Sequence, residues 1–125
     1  MARGEAVIVA GLGFRRDCPA HEIVALVREA EAQAGCRVGG LAAPAFKRDE
    51  TGIRDAAALL ALPLAFVSNH ALSDAQGRCV TRSAAVMRAS GLASVAEAAA
   101  LAASGGPLLL PRIAGPRATC AVAGR

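Results

Sequence analysis

The apolar residues of the chain fall into two patterns, short continuous runs and longer stretches with a helical repeat. Short apolar runs bounded by Gly, Pro or polar residues are typical of β-strands in the interior of a protein. They predict five strands, at residues 6–11, 38–46, 64–67, 107–113 and 118–123. We expect the first and third strands to be buried on both faces, and Pro44 to mark an edge or a bulge in the second.

The helical stretches carry an apolar residue every three or four positions. They predict α-helices from about residue 18 to Gly35, from about Ile53 to Leu62, and from Ser94 to Ala103. Asp17 or Cys18 is expected to cap the first helix, and Pro19 suits its first turn. Between the second and third helices, residues 73–77 predict a turn or a short helix and residues 80–89 a further helical segment.

The order of these elements predicts the fold. Strands and helices alternate through residue 67, which favours parallel strands joined by right-handed crossovers. The last two strands are separated by residues 114–117, a connection typical of an antiparallel hairpin. A chain of 125 residues fits one domain. We therefore predict a single α/β domain, a three-layer α/β/α sandwich with a mixed, mainly parallel five-stranded sheet that ends in an antiparallel hairpin.

The composition indicates the type of core and the cellular compartment of the protein. The hydrophobic share is 54%, with three Phe and no Trp or Tyr, so the core must be built from aliphatic side chains. The four cysteines include no Cys-x-x-Cys pair and fit no zinc pattern. They predict reduced thiols in a cytoplasmic protein. Because no cluster of ligands presents itself, we expect neither a metal site nor a cofactor. The N-terminal residues do not read as a signal peptide, and no apolar stretch reaches the length of a membrane helix.

The chain is basic, with a net charge of +4, and Lys47 is its single lysine among 14 basic residues. An Ala- and Arg-rich composition is typical of a GC-rich genome, which accounts for much of this charge. The arginines are scattered and lack aromatic neighbours for base stacking, which argues against nucleic acid as a partner. Arginine also binds carboxylates and phosphates through paired hydrogen bonds, so binding of an acidic ligand is the alternative explanation of the basic charge.

Ligands of open α/β sheets usually lie beyond the carboxyl ends of the parallel strands. The first such loop, residues 11–17, contains Gly11 and Gly13 followed by Arg15 and Arg16. Glycines allow a ligand close to the backbone, and the following helix N-terminus favours anions. The loop predicts either anion binding or a tight turn with solvated arginines. It is not a dinucleotide-binding motif, because the third glycine of that motif would fall on Arg16.

The second and third loops hold further polar residues. Lys47 lies at the end of the second strand, where a binding or catalytic role competes with a solvated charge run. Asp49 and Glu50 precede a helix and complement its dipole, or contact a ligand. Ser68 follows the third strand and is a candidate ligand contact, whereas His70 is expected at the surface.

Ser94 and Glu97 have the spacing of a capping box, in which each side chain bonds the backbone N–H of the other residue. This purely structural role accounts for both residues. The alternative is a catalytic carboxylate at Glu97.

Five segments of the chain form an ordered set of motifs. These are Gly11-x-Gly13 with Arg15-Arg16, Lys47-x-Asp49-Glu50 with Gly52-Ile53, the strand ending at Ser68, Gly91-x-x-Ser94-Val95-x-Glu97-Ala98, and Ala118-Thr119-x-Ala121-x-Ala123. In this order they resemble the CobE family and the C-terminal domain of CbiG, which are cobalamin biosynthesis proteins, and the resemblance covers residues 7–123. Cys18 departs from the family pattern, in which a Ser or Thr cap is usual.

The resemblance implies a place in corrin-ring synthesis and a partner of the precorrin type, with other enzymes of that pathway as further candidates. CbiG opens the ring-A δ-lactone of cobalt-precorrin-5A with the help of upstream domains. This chain is similar to the stand-alone CobE form. Two hypotheses follow. In the first, the protein binds a polycarboxylate tetrapyrrole through Arg15, Arg16 and Lys47. In the second, it is a lactone hydrolase in which Lys47 polarises the carbonyl while Glu97 or Glu50 activates water. A general anion-binding or interaction domain is the third.

Overall fold

A computed structural model describes residues 7–81 and 94–125 of the chain. Five strands are present among these residues: β1 (Ile8–Phe14), β2 (Gly40–Pro44), β3 (Leu64–Val67), β4 (Leu108–Ala114) and β5 (Ala118–Gly124). The described α-helices are α1 (Ala20–Ala34), α2 (Thr51–Leu60), α3 (Asn69–Ala75) and α4 (Val95–Ser104). Short 3-10 turns follow β2 at Ala45–Lys47 and α3 at Gln76–Arg78.

The five strands form one mixed sheet in the order β3-β2-β1-β5-β4. Strands β1, β2 and β3 pair in parallel, whereas β5 pairs antiparallel with both β1 and β4. Strand β4 therefore runs in the same direction as the three parallel strands, and the predicted mixed sheet with a terminal hairpin is confirmed. Because four strands point the same way, the carboxyl ends of β1, β2, β3 and β4 lie at one edge of the sheet.

Alternate residues of the central strands supply two separate hydrophobic clusters. Ala10 and Leu12 of β1 pack with α1 and α2, in a cluster that also contains Ile23 and Ile53. Val9 of β1 and other residues of the sheet pack with α3 and α4. Because neighbouring strand residues point to opposite faces, the two pairs of helices cover opposite faces of the sheet, as the sandwich prediction requires.

Helix α4 packs very close to β1, and Gly11 makes this approach possible. A β-carbon at Gly11 would lie 2.2 Å from the Ala96 carbonyl oxygen and 2.4 Å from the Ala100 nitrogen. Small residues on both elements thus replace the large anchors that the composition lacks, since close backbone packing gains dispersion energy from many short contacts.

The first strand extends further than predicted. It continues to Phe14, so Gly11 and Gly13 lie within β1 and not in the loop that follows. The sequence places the two glycines in a turn, but in the structure they pair with β5, opposite Ala121 and Thr119. The physical reason is the close contact with α4, which excludes larger side chains from this face of the strand.

Strands β2 and β3 also differ from the prediction. Strand β2 is central and Pro44 ends it, so Pro44 marks neither an edge nor a bulge. Strand β3 has the predicted bounds but is an edge strand with only Val67 buried, not a strand covered on both faces.

The helix boundaries largely follow the predicted signals. Helix α1 ends at Gly35, whose φ of 74° is left-handed, as expected for a C-terminal glycine. Pro19, and not Asp17 or Cys18, occupies its N-cap position. Residues 69–75 form a short helix, whereas most of the segment predicted to be helical at 80–89 lies outside the described residues. Among the described residues, no helix has the length and hydrophobicity needed to cross a bilayer.

Candidate functional site

A cavity of about 380 Å³ opens at the edge where the parallel strands end. Its walls come from the ends of β1 and β2, the 3-10 turn after β2, the start of α4, and the β4–β5 hairpin. We call this cavity the edge pocket. Its position is the one expected for a ligand site in an open α/β sheet.

Four cationic side chains line the edge pocket, those of Arg15, Lys47, Arg112 and Arg117. No acidic residue is among the lining residues that the structure describes. Arg15 and Lys47, two of the three residues predicted to bind an acidic ligand, both line this cavity, whereas Arg16 does not. The arrangement concentrates positive charge around a partly desolvated cavity, which favours an anionic ligand.

One of these charges is neutralised within the protein. The guanidinium of Arg117 pairs with Glu22 of α1, and its Nε lies 3.2 Å from both carboxylate oxygens. The hydrogen bond from Arg117 lowers the pKa of Glu22. Over the described part of the chain, the guanidinium groups of Arg15 and Arg112 make no hydrogen bond or ion pair. With Lys47, the pocket therefore has three cations that no acidic residue of the described segments neutralises.

Aromatic and aliphatic surface lies beside these cations. The Lys47 ammonium lies 5.5 Å from the centre of the Phe14 ring, within the range of a cation–π contact. Phe46 also lines the pocket and is half exposed, with 50% of its surface accessible. Two of the three phenylalanines of the chain thus border the same cavity. The exposure of the Phe46 side chain to water is unfavourable, and a ligand that covered it would remove this cost. The pocket thus combines apolar surface, mainly that of Phe46, with cationic groups.

Glu97 lies behind the pocket wall and is fully buried. Its Oε1 accepts hydrogen bonds from the backbone nitrogens of Val80 (2.8 Å) and Thr81 (2.9 Å). Its Oε2 accepts from the Thr81 hydroxyl (2.6 Å) and from the backbone nitrogen of Arg112 (2.9 Å). Burial raises the pKa of Glu97, but these hydrogen bonds outweigh it and the pKa lies below the ordinary value.

Half of the predicted capping box is present. The Ser94 hydroxyl accepts a hydrogen bond from the Glu97 backbone nitrogen at 3.3 Å, as expected for an N-cap. The Glu97 side chain bonds residues 80, 81 and 112, and a return bond to the Ser94 nitrogen is not among its contacts with the described residues. Its carboxylate is not part of the pocket lining.

The other predicted site residues are divided between the pocket and its surroundings. Gly13 lies in the pocket wall, whereas Gly11 is buried beneath α4. Arg16 and Asp49 are exposed and outside the lining. Glu50 lies at the N-cap position of α2, where its Oε1 accepts a hydrogen bond from the Asp17 nitrogen at 2.8 Å.

Ser68 lies at the end of β3, which is an edge strand, and outside the pocket lining. Its hydroxyl accepts a hydrogen bond from the Ala71 nitrogen at 3.1 Å and so caps α3. The ligand contact suggested for Ser68 stays a prediction, while the cap accounts for the residue at this position.

Sequence reasoning missed Arg112, Arg117 and Phe46. The two arginines belong to the β4–β5 hairpin, and only the direction of β4 in the sheet brings them to the edge where ligands bind. Once β4 is seen to run parallel to β1, its carboxyl end falls at the ligand edge and Arg112 becomes a candidate. Among the described residues no cluster of His, Cys, Asp or Glu could hold a metal ion, and none of the four cysteines forms a disulfide.

The sequence profile of the family described as "Cobalamin synthesis G C-terminus" matches residues 8–123. The chain belongs to this family. The match spans all five strands and both sides of the edge pocket, so the pocket is a feature of the family domain in this chain and not of an added segment.

Other members and neighbours agree with this placement. Protein CobE of Sinorhizobium sp is 36% identical over 124 residues, which cover 95% of this chain and 80% of the relative. The crystal structure of CobE, a protein from the cobalamin (vitamin B12) biosynthetic pathway, superposes with a TM-score of 0.89 at 36% identity, over 96% of this chain and 91% of that one.

The cobalamin biosynthesis protein chiG from Agrobacterium tumefaciens str. C58 superposes with a TM-score of 0.76 at 40% identity, over 94% of this chain and 97% of that one. A putative cobalamin biosynthesis protein G homologue from Sulfolobus solfataricus shares the fold, with a TM-score of 0.63 at 18% identity, over 95% of this chain and 36% of that one. Membership of the cobalamin synthesis G C-terminal family identifies the chain as a cobalamin biosynthesis protein.

Proposed function

We propose that the edge pocket binds a polycarboxylate tetrapyrrole intermediate of cobalamin biosynthesis. The observation that carries the proposal is the convergence of Arg15, Lys47 and Arg112 on a cavity bordered by phenylalanine. None of the three has an acidic partner within residues 7–81 and 94–125. Corrin precursors are large, flat and rich in acetate and propionate groups. Guanidinium and ammonium groups bind carboxylates, and the wall at Phe14 and Phe46 offers surface to the edge of a planar ring.

The size of the pocket favours binding by one edge of the ligand. At about 380 Å³ the cavity lies in the lower part of the range for small-molecule sites, about 300–1,000 Å³. It accommodates one or two pyrrole rings with their acidic arms and leaves the remainder of a tetrapyrrole in solvent. Such partial burial suits a protein that holds an intermediate and passes it on, because the exposed part remains accessible to the next enzyme.

Binding without turnover is better supported than hydrolysis. The hydrolase hypothesis needs a carboxylate near Lys47 to activate water. Glu97 is buried and engaged by four donors, and Glu50 accepts a backbone hydrogen bond outside the pocket lining. Lys47 remains placed to bind an acidic group of the ligand.

Two arginines provide a matched pair for testing the proposal. Arg15 lines the pocket, whereas Arg16 is its exposed neighbour outside the lining. A titration with uroporphyrin I, a porphyrin with an acetate and a propionate on every pyrrole ring, gives affinity from the change in its absorption spectrum. Arg15→Ala should weaken binding about tenfold or more, since a charged hydrogen bond contributes about 1.5–3 kcal/mol. Arg16→Ala should change it much less.

Equal effects of the two variants, or no binding by the unaltered protein, would contradict the proposal. Incubation with precorrin intermediates, followed by chromatography of the pigments, separates binding from catalysis. Recovery of the intermediate unchanged supports a binding protein. Conversion to a ring-opened product would instead support the hydrolase hypothesis and require a water-activating group at the pocket.

A further inference from the structure

Strand β4 carries an irregularity next to the edge pocket. Leu110 pairs with Val122 and Ile113 pairs with Cys120, so three steps along β4 match two steps along β5. Pro111 and Arg112 together oppose Ala121, which is the arrangement of a β-bulge. Bulges next to binding sites commonly redirect a side chain, and here the bulge residue Arg112 lines the pocket.

The backbone of this bulge is held by Glu97. Pro111 has no N–H group, so Arg112 supplies the donor of this pair. That N–H group donates to Glu97 Oε2 over 2.9 Å. Glu97 is itself fixed, because it is fully buried and accepts three more hydrogen bonds, from Val80 and Thr81. A rigid, buried acceptor thus determines where the main chain of Arg112 lies, while its guanidinium has no partner in the described protein.

We propose that Glu97 is a positioning residue of the binding site, which holds the β4 bulge so that Arg112 presents its guanidinium to a ligand carboxylate. This inference rests on the proposed function of the edge pocket. Glu97 acts on the ligand only through Arg112, and it has no catalytic role of its own. Arg112 is the anchor, and the bulge sets its direction.

A double-mutant cycle with uroporphyrin I tests the coupling. Arg112→Ala should weaken binding about tenfold or more, because it removes a charge-assisted hydrogen bond. Glu97→Gln should also weaken binding severalfold, because the bulge loses its anionic acceptor. The double variant should bind no more weakly than Arg112→Ala alone, since without the guanidinium its direction no longer matters.

The control separates positioning from general loss of stability. Leu72 of α3 is fully buried and lies outside the pocket lining, so Leu72→Ala destabilises the fold without touching the site. Its affinity for uroporphyrin I should equal that of the unaltered protein wherever both are folded. A fall in affinity as large as that of Glu97→Gln would mean that stability, not positioning, controls binding.

A measurement on the unaltered protein covers the case in which Glu97→Gln does not fold. In an NMR pH titration, the amide proton of Arg112 should shift with the pKa of the Glu97 carboxylate, together with the amides of Val80 and Thr81. An Arg112 amide that ignores this titration overturns the inference, as does unchanged affinity in Arg112→Ala. Failure of the unaltered protein to bind uroporphyrin I contradicts the proposed function instead.

Discussion

Replacing Glu97 by glutamine should strongly destabilise the fold, because the two side chains have the same shape but different hydrogen-bonding groups. The carboxylate accepts two donors on each oxygen, from the backbone of Val80, Thr81 and Arg112 and from the Thr81 hydroxyl. Glutamine offers one oxygen acceptor and an NH₂ group that only donates. In either orientation, the NH₂ group faces at least one N–H donor in a fully buried site.

The magnitude follows from the less damaging orientation. With the NH₂ group at the Oε2 position, the Thr81 hydroxyl can turn and accept, and only the Arg112 N–H loses its acceptor. The remaining bonds become neutral and weaker. One orphaned buried donor costs about 1–3 kcal/mol, and loss of the charge from the other bonds adds to it, which gives about 2–4 kcal/mol in total. This is a large share of the about 5–15 kcal/mol typical of a domain.

Urea unfolding followed by far-UV circular dichroism measures the change, since the chain has no Trp or Tyr for fluorescence. Glu29→Gln is the control, because Glu29 is exposed and its carboxylate contacts only the Gln33 side chain in the described structure. That variant should stay within about 0.5 kcal/mol of the unaltered protein. A loss below about 1 kcal/mol for Glu97→Gln would refute the reasoning.

The same comparison has a defined pH dependence. The folded-state pKa of Glu97 is lowered, so its ionised form contributes stability that is complete above the unfolded pKa. This contribution is lost as the pH falls through the folded pKa. The difference in unfolding free energy between the unaltered protein and Glu97→Gln should therefore shrink in acid. A difference that stays constant from neutral pH to below the folded pKa would show that the charge plays no part.

Three further outcomes are expected. Gly11→Ala should lower the free energy of unfolding in urea by about 1–3 kcal/mol or more, because the new β-carbon meets the backbone of α4. Gly77→Ala, with open space around the new β-carbon, should be close to neutral, and similar effects of the two variants would contradict the packing argument. Cys36 is partly exposed and should react with a thiol reagent before the buried cysteines. Burial raises the pKa of the Cys120 thiol to about 12, so fast labelling of Cys120 in the folded state would count against the structure. Glu22→Gln removes the charged partner of Arg117, so it should tighten binding of uroporphyrin I and make the affinity depend more steeply on salt. Weaker binding would show that the ion pair instead holds the pocket in shape.

The sequence predicted the order and type of the elements because each is encoded locally. The run at 64–67, bounded by Pro63 and Ser68, gave the bounds of β3, and Gly35 gave the end of α1. The edge location of the site also followed, since it depends only on strand direction. Arg15 and Lys47 could be placed at that edge for this reason.

The remainder depended on contacts between distant residues. The role of Gly11 depends on which helix covers β1, and its nearest neighbours, Ala96 and Ala100, are far along the chain. The glycine signal is the same for a turn and for close packing. The contacts of the Glu97 carboxylate likewise could not be read from its capping-box spacing, because its partners come from the 80–81 segment and from β4. Arg112 was missed for two reasons: the direction of β4 follows only from its pairing with β5, and the bulge at this position leaves no mark in the strand pattern.

The interior position of β5 bears on how the chain is made. Ile8 pairs with Gly124, so the neighbouring interior strands β1 and β5 come from distant parts of the sequence. During synthesis, β1 emerges early yet waits for residue 124 before its second neighbour arrives, and the wall opposite Phe14 is absent until then. Such distant pairings slow folding and expose a long unpaired strand on the nascent chain. Because β5 pairs with both β1 and β4, removing β5 should detach β4 from the sheet and leave β1 as an exposed edge.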